Sequence, residues 1–377
     1  MRRVALGTRP PAPAPYGRVG MELGVCMATA ISDVEHAVLA EQLGYSHVWV
    51  ADSQMLWSDC YATLALVADR TERIRIGTGV AVAGTRSPAV TAAAHASINR
   101  IAPGRVFCGI GTGNTAMRTM GRRPMRIAEF DRHLGELRSL LDGRETHVGE
   151  PEARTPIRHL MPDTGFVAFA PRIPLYVSGF GPRATALAVR HGDGLVMSTR
   201  PRAASVERVW DRLRAAADDE GREIDPSTFH TTELTTMCVL EPGEAVDSDR
   251  VRERVGAFAI AGLHYQYEQW REAGRPDVTG RFEGWDDYVE MLDQVDPVRL
   301  HQRIHLGHNC WVEPEEERFV TRDLIEATCM VGTAQQLADE LGDMASAGLS
   351  QVMLLPPLHV RDDVLREVSE LVMPQLA

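Results

Sequence analysis

Short apolar runs that alternate with amphipathic stretches place this chain in the α/β class. Eight such runs predict a closed (β/α)8 TIM barrel with a helical insertion between strand 7 and helix 7. A third observation agrees. At 377 residues and 44% hydrophobic, the chain is long and apolar enough to bury a large core.

The elements follow in order. Glu22–Met27 is the first strand, and Ser32 with Glu35 has the spacing of a capping box for a helix whose stripe includes Val34, Ala37, Val38, Glu41 and Leu43 up to Gly44. Next come the strand His47–Ala51, a helix over Tyr61–Asp69, the strand Ile74–Val82, a helix from Pro88 to Asn99 and the strand Val106–Ile110. The helix Met125–Leu141 leads to the strand Pro174–Ser178, the helix Pro182–His191 and the strand Gly194–Met197. The helix Ala203–Glu220 precedes a long strand Thr231–Leu240. Thr333–Ala347, Gln351–Leu355 and Arg361–Met373 close the chain as helix, strand and helix. The polar, Trp- and Tyr-rich stretch at about 247–325 is too long for one crossover and is expected to be the mainly helical insertion. Residues 21–377 then form one barrel domain behind an irregular, proline-rich leader over residues 1–20.

Charge narrows the function. Forty basic residues against 52 acidic ones leave a net charge of −12, which disfavours nucleic acid as a partner. Every basic residue other than histidine is Arg, so lysine-dependent chemistry is excluded, including Schiff-base formation and the phosphate-binding loop with its Gly-Lys-Ser/Thr. Any anion has to be met by Arg, backbone amides or helix ends. No apolar run approaches the roughly 20 residues of a membrane span, and the leader is no signal peptide. The cysteines Cys26, Cys60, Cys108, Cys238, Cys310 and Cys329 are scattered, which suits small core residues in a reducing cytoplasm.

In such a barrel the chemistry lies at the C-terminal ends of the strands. Those ends read Asp52-Ser53-Gln54, Gly77-Thr78-Gly79-Val80, Gly111-Thr112-Gly113-Asn114, Ser178-Gly179-Phe180-Gly181 and Ser198-Thr199-Arg200. Most are small and polar, and their glycines let backbone approach a flat or phosphorylated ligand. Gly77 and Gly79, inside a strand, favour a ligand face on the same ground. The turn Gly179-Phe180-Gly181-Pro182-Arg183 opens a helix with proline in its first turn. The free amides there, the helix dipole and Arg183 suit a phosphate. Gly109-x-Gly111-x-Gly113 departs from the dinucleotide fingerprint, which disfavours a nicotinamide fold. His301, His305, His308 and Cys310 are expected to form a histidine-bearing surface rather than a metal site, and Glu315-Glu316-Glu317 a solvated face.

These motifs resemble a known family. Gly44-x4-Trp49-x2-Asp52, Ile76-Gly77-Thr78-Gly79-Val80, Arg86-x-Pro88-Ala89-Val90-Thr91-Ala92, Pro103-Gly104-Arg105, Gly109-Ile110-Gly111-Thr112-Gly113, Ile173-Pro174-Leu175-Tyr176-Val177 and Gly192-Asp193-Gly194 are similar to the luciferase-like flavin and deazaflavin oxidoreductases. Within that superfamily the chain looks most like the methylenetetrahydromethanopterin reductase branch. The resemblance implies a cofactor at the barrel rim, coenzyme F420 (a deazaflavin) with FMN as the alternative. It also implies a homodimer, with a separate reductase as a further partner supplying reduced cofactor. It implies a cis Gly79–Val80 bond behind the ring, with Asp52, Thr78, Gly79, Val80, Gly111, Thr112, Gly113 and Asn114 around the ring. Ser178, Gly179, Phe180, Gly181, Pro182 and Arg183 match the phosphate site. Arg200 or Arg202 would meet the acidic polyglutamate tail of F420.

Departures from the family pattern bear on the reaction. The F420-dependent sugar-phosphate dehydrogenases carry a histidine after this aspartate, where this chain has Ser53. Their proton-donating glutamate is replaced by Asn114, while their tryptophan matches Trp57. Without that acid and base, glucose-6-phosphate oxidation is disfavoured. Neutral Ser53 and Asn114 suit hydrogen bonding to a substrate carbonyl or imine, or to a flavin oxygen adduct, and Asp52, Ser53, Trp57 and Asn114 are the expected catalytic group. Hydride transfer from reduced F420 to a C=C, C=N or C=O bond is the first expectation. An FMN-dependent monooxygenase and a noncatalytic barrel subunit are the alternatives.

Overall fold

The computed structural model describes residues 20–149, 153–277 and 282–376; of the expected leader, all but Gly20 lies outside them. The chain opens with β1 (Glu22–Met27), α1 (Glu35–Gln42), β2 (His47–Val50), α2 (Cys60–Arg70), β3 (Arg75–Val82), α3 (Pro88–Ile101) and β4 (Val106–Gly111). Two helices follow, α4 (Asn114–Thr119) and α5 (Ile127–Leu141), then the small antiparallel hairpin β5 (Thr146–Val148) and β6 (Thr155–Ile157). Then come β7 (Leu175–Ser178), α6 (Pro182–His191), β8 (Gly194–Met197), α7 (Ala203–Glu220), β9 (His230–Thr235) and β10 (Met237–Val239). The chain continues through α8 (Asp249–Glu272), α9 (Trp285–Asp293), α10 (Leu300–Ile304), α11 (Arg322–Thr328) and β11 (Met330–Gly332). It closes with α12 (Ala334–Ser346), β12 (Gln351–Leu354) and α13 (Arg361–Leu371).

Eight of these strands close a parallel barrel in the order β1-β12-β9-β8-β7-β4-β3-β2. Helices cover its outer face by burying one stripe each. In α5 the spacing of Phe130, Leu134, Leu137 and Leu141 puts four fully buried side chains on one side, each contributing about 1.5–3 kcal/mol by leaving water.

Rings and glycines fill the lumen between them. Trp49 packs on Phe107 at 4.3 Å between centroids, Phe107 on Tyr176 at 5.4 Å and Tyr176 on His230 at 4.8 Å. A Cβ on Gly77 would lie 2.3 Å from the Phe107 ring, and one on Gly79 would lie 2.5 Å from Cβ of Trp49. Gly77 therefore makes room for the Phe107 ring, and Gly79 for close approach of β2 at Trp49. Gln351 links the last barrel strand to the first ones. Its Oε1 accepts from Trp49 Nε1 at 2.9 Å, and its Nε2 donates to Ser46 Oγ at 3.1 Å and to His47 Nδ1 at 2.6 Å. Burial, with His230 and Arg75 nearby, pulls His47 well below the usual imidazole range, so it accepts as a neutral ring.

Two expectations about elements change. The capping box at Ser32 and Glu35 does not form: α1 starts at Glu35 with no side-chain cap, and Asp33 is drawn instead into a pair with Arg361 of α13. A capping box does form at Thr333 and Gln336 of α12. The run Thr231–Leu240 is two strands, because β9 pairs within the barrel while β10 leaves it to pair with β11. The helices α8 to α11 lie between that outlying pair.

Candidate active site

The site is built from the strand ends at the C-terminal rim. Three of them meet at Gly111. A Cβ there would lie 3.2 Å from Val80 Cγ2 and 3.3 Å from Ser178 Cβ, so any larger residue would have to displace those side chains at the ends of β3 and β7. The Gly79–Val80 bond that enters this cluster is cis. Gly113 follows with φ +82° and starts α4; a Cβ on it would lie 2.4 Å from Val82. Thr112 and Asn114 flank it, both half-buried. Thr78 behaves differently from its neighbours. It is fully buried and its hydroxyl donates to the Gly109 carbonyl at 2.6 Å, with His95 of α3 at 3.3 Å. Its side chain thus belongs to the barrel wall, and only its backbone is near the rim.

Asp52, 5% exposed, ties β2 to β3. Its Oδ2 accepts from the Val82 amide at 3.1 Å and from Arg86 at 3.5 Å, and its Oδ1 accepts from Gln54 Nε2 at 2.5 Å. Burial pushes its carboxyl above the usual range, opposed by the Val82 amide and Arg86. Arg86 itself is fixed by Asp59 at 2.7 Å and by the Tyr61 ring at 4.3 Å. Ser53 is buried beside Asp52, and its carbonyl accepts from the Leu56 and Trp57 amides, each at 3.0 Å. That turn carries Trp57 toward His308, with ring centroids 6.2 Å apart.

The phosphate-type turn is open on its outer side. Gly179 is held by its amide to the Val196 carbonyl at 3.1 Å, and a Cβ on it would lie 2.5 Å from Ala184. Gly181 caps α6 with nothing within 4 Å of a would-be Cβ, Pro182 takes the first helical position, and Phe180 and Arg183 are exposed. The helical ladder begins with Thr185 N bonded to the Gly181 carbonyl at 3.0 Å, which leaves the amides ahead of it directed to an incoming anion. Of the two arginines expected to meet an acidic tail, Arg202 is bound to Glu340 at 2.8 Å and Arg200 is exposed.

A polar roof from α4 and the α8–α11 segment covers one side of the rim. Asn114 Oδ1 accepts from Arg118 Nε at 2.6 Å, and Arg118 is held by both oxygens of Glu272, at 2.6 and 2.9 Å. Thr115 and Tyr265 share a hydroxyl bond of 2.5 Å, and His308 Nε2 lies 3.5 Å from the same threonine. His305 pairs with Glu268 at 3.1 Å, and His264 with Glu316 at 3.1 Å. His305, His308 and Cys310 are therefore buried, which corrects the expected histidine-bearing surface. Glu316 is 1% exposed and faces Arg303 and His264, so the acidic triplet is not a simple solvated face. Burial, with His305 and His264 close, drives His308 well below the usual imidazole range.

Glu233 was not among the expected residues. It lies fully buried on β9, where it accepts from the Thr199 amide and, at 3.0 Å, from the Thr199 hydroxyl, fixing the turn after β8. Burial pushes its carboxyl up to about 7. Its only trace in the sequence is one acid inside an otherwise uncharged strand.

Known proteins share this architecture. A family model described as luciferase-like monooxygenase matches residues 27–351. The chain is 34% identical over 233 residues to an F420-dependent hydroxymycolic acid dehydrogenase of Mycobacterium tuberculosis; that match spans 58% of this chain and 62% of the mycobacterial protein. It is 25% identical over 331 residues to a 5,10-methylenetetrahydromethanopterin reductase of Archaeoglobus fulgidus, spanning 85% of this chain and 88% of that protein. Among solved structures, the coenzyme F420-dependent tetrahydromethanopterin reductase of Methanopyrus kandleri aligns with a TM-score of 0.67 over 96% of this chain and 100% of the other, at 17% identity, which is a likeness of fold.

Proposed function

This chain belongs to the luciferase-like monooxygenase family, and from that premise we propose that it is an oxidoreductase transferring a hydride from reduced coenzyme F420 to a C=C, C=N or C=O bond of a small organic substrate. The observation that carries the reading is the meeting of Val80, Gly111 and Ser178. A side chain at residue 111 would fill that cradle, and its absence leaves a floor for a flat ring. Beside it, the open first turn of α6 with Arg183 suits the phosphate of such a cofactor. The residues present fit the group.

When bound, the deazaflavin supplies the hydride; the chain positions it and shields it from water. Val80, Gly111 and Ser178 would hold the ring, and the amides after Gly181 would hold the phosphate. Asp52 keeps the end of β3 in place through the Val82 amide. Asn114 has its carboxamide oxygen taken by Arg118, so the NH2 group is the part left to face a ligand. It can donate to a substrate oxygen or nitrogen but cannot accept a proton from one. That suits stabilising the anion formed when a hydride reaches a polarised acceptor, and the proton that completes the reduction then comes from water.

Anaerobic titration with F420 and with FMN, oxidised and reduced, followed by absorbance and tryptophan fluorescence, tests this. Binding of F420 with none of FMN is expected. Tight binding of reduced FMN with an oxygen-dependent spectral change would replace the proposal with a monooxygenase, and binding of neither would leave a noncatalytic barrel.

A further inference from the structure

Between α4, the turn after it and the facing sides of α8 and α10 lies a pocket of about 390 Å3. Arg118, Arg122, Arg123, Arg271 and His301 line it. Its two acidic side chains, Glu268 and Glu272, both lie against Arg118, at 3.5 and 2.6 Å. Among the described residues no carboxylate stands within ion-pair distance of Arg122, Arg123 or Arg271. Three such guanidinium groups around one pocket repel one another, and a chain of net charge −12 has carboxylates with which to neutralise them. Glu272 also acts on Arg123 and Arg271, yet four guanidinium groups against two carboxylates leave an excess of positive charge, which points to an anion supplied from outside.

We propose that this pocket binds the carboxylate or phosphate group of a small anionic ligand, held by the forked donors of Arg122, Arg123 and Arg271. Arg118 is the wall it shares with the rim, since the same side chain lines the pocket and donates to Asn114 Oδ1 at 2.6 Å. A ligand held here by its acidic group is therefore one side chain away from Asn114. This placement rests on the reading of the rim as the redox site, and on that reading the class of ligand is an acidic substrate. The oligoglutamate tail of F420 carries the same chemistry and is the other source of such a group.

The test is calorimetric titration of the whole protein at low ionic strength with citrate and with inorganic phosphate. It compares the unmodified protein with R122A/R123A/R271A, and uses R123K/R271K to show that charge rather than fold is at issue. The unmodified protein should bind, the triple alanine variant should bind about tenfold more weakly or worse, and the lysine variant should keep most of the affinity. Equal binding by all three overturns the proposal. F420 without glutamates and F420 with several then separate the sources. Affinities unchanged by the triple variant, within about twofold, assign the pocket to substrate, whereas weakening of the glutamylated form alone assigns it to the cofactor tail and overturns the substrate assignment. Arginine-dependent citrate binding in a protein that binds neither F420 nor FMN would refute the redox reading of the rim and leave the pocket standing.

Discussion

The barrel lumen and the roof over it are buried to a similar degree by opposite means. The lumen is filled by Trp49, Phe107 and Tyr176 fitted against Gly77, Gly79 and Gly109, so its stability is a matter of shape. In the roof, His264 with Glu316 and His305 with Glu268 occupy the interior, with Arg118 reaching out to the exposed Glu272, so its stability is a matter of polar pairing. Ring packing ignores pH and salt. A buried carboxylate such as Glu316 beside Arg303 is held electrostatically, and such a pair costs most when only one partner is removed. The part built by shape thus carries the Val80, Gly111 and Ser178 cluster, and the part built by polar pairing covers one side of the rim.

Four substitutions probe that contrast, from the largest expected effect down. Trp49→Ala should lower stability by about 4 kcal/mol by opening a cavity in the lumen, independently of ionic strength, in denaturant titrations. A strong salt dependence there would break the contrast. Glu316→Ala should cost about 3 kcal/mol, because it strips His264 and part of Arg303 of their partner. Hydrogen exchange should rise in α8–α11 while the barrel strands stay protected. Glu233 tests a charge placed in the shape-built part. Burial raises it from the usual 4.5 to about 7. Between those values the folded state holds a proton the unfolded chain has lost, so its contribution is full below 4.5 and is lost as pH rises through about 7. Glu233→Gln should remove that slope, gaining about 2 kcal/mol on the unmodified protein between pH 5 and 8 in urea titrations. Arg183→Ala, on the exposed turn, should leave stability unchanged and weaken F420 binding by about 1 kcal/mol, as read by fluorescence titration.

The barrel strands were legible because strands covered on both faces are short apolar runs between helical stripes. The split of Thr231–Leu240 was not: β9 and β10 are both apolar, and only their pairing with different partners separates them. The signature at Ser32 and Glu35 does not form because the helix is capped at Val34, past Ser32, while Asp33 beside it pairs with Arg361 more than 300 residues away, a contact local spacing does not contain. At the site, Gly111, Gly113 and the Gly181 turn were readable as backbone needing room. Thr78 was misread because alternation along β3 turns its side chain away from its glycine neighbours. The roof was illegible because its acids and histidines pair across helices, and in sequence they look like solvated polar residues.

Gln351 has a consequence for how the molecule is made. Its carboxamide completes the interior of β2 through Trp49, 302 residues earlier in the chain. At a ribosomal pace of about 5–20 residues per second, Trp49 waits on the order of 15–60 s for that partner to be synthesised. Until then the first strands have an open edge and an aromatic face without its lid. For this fold, the hazard of aggregation is therefore greatest before the chain is complete.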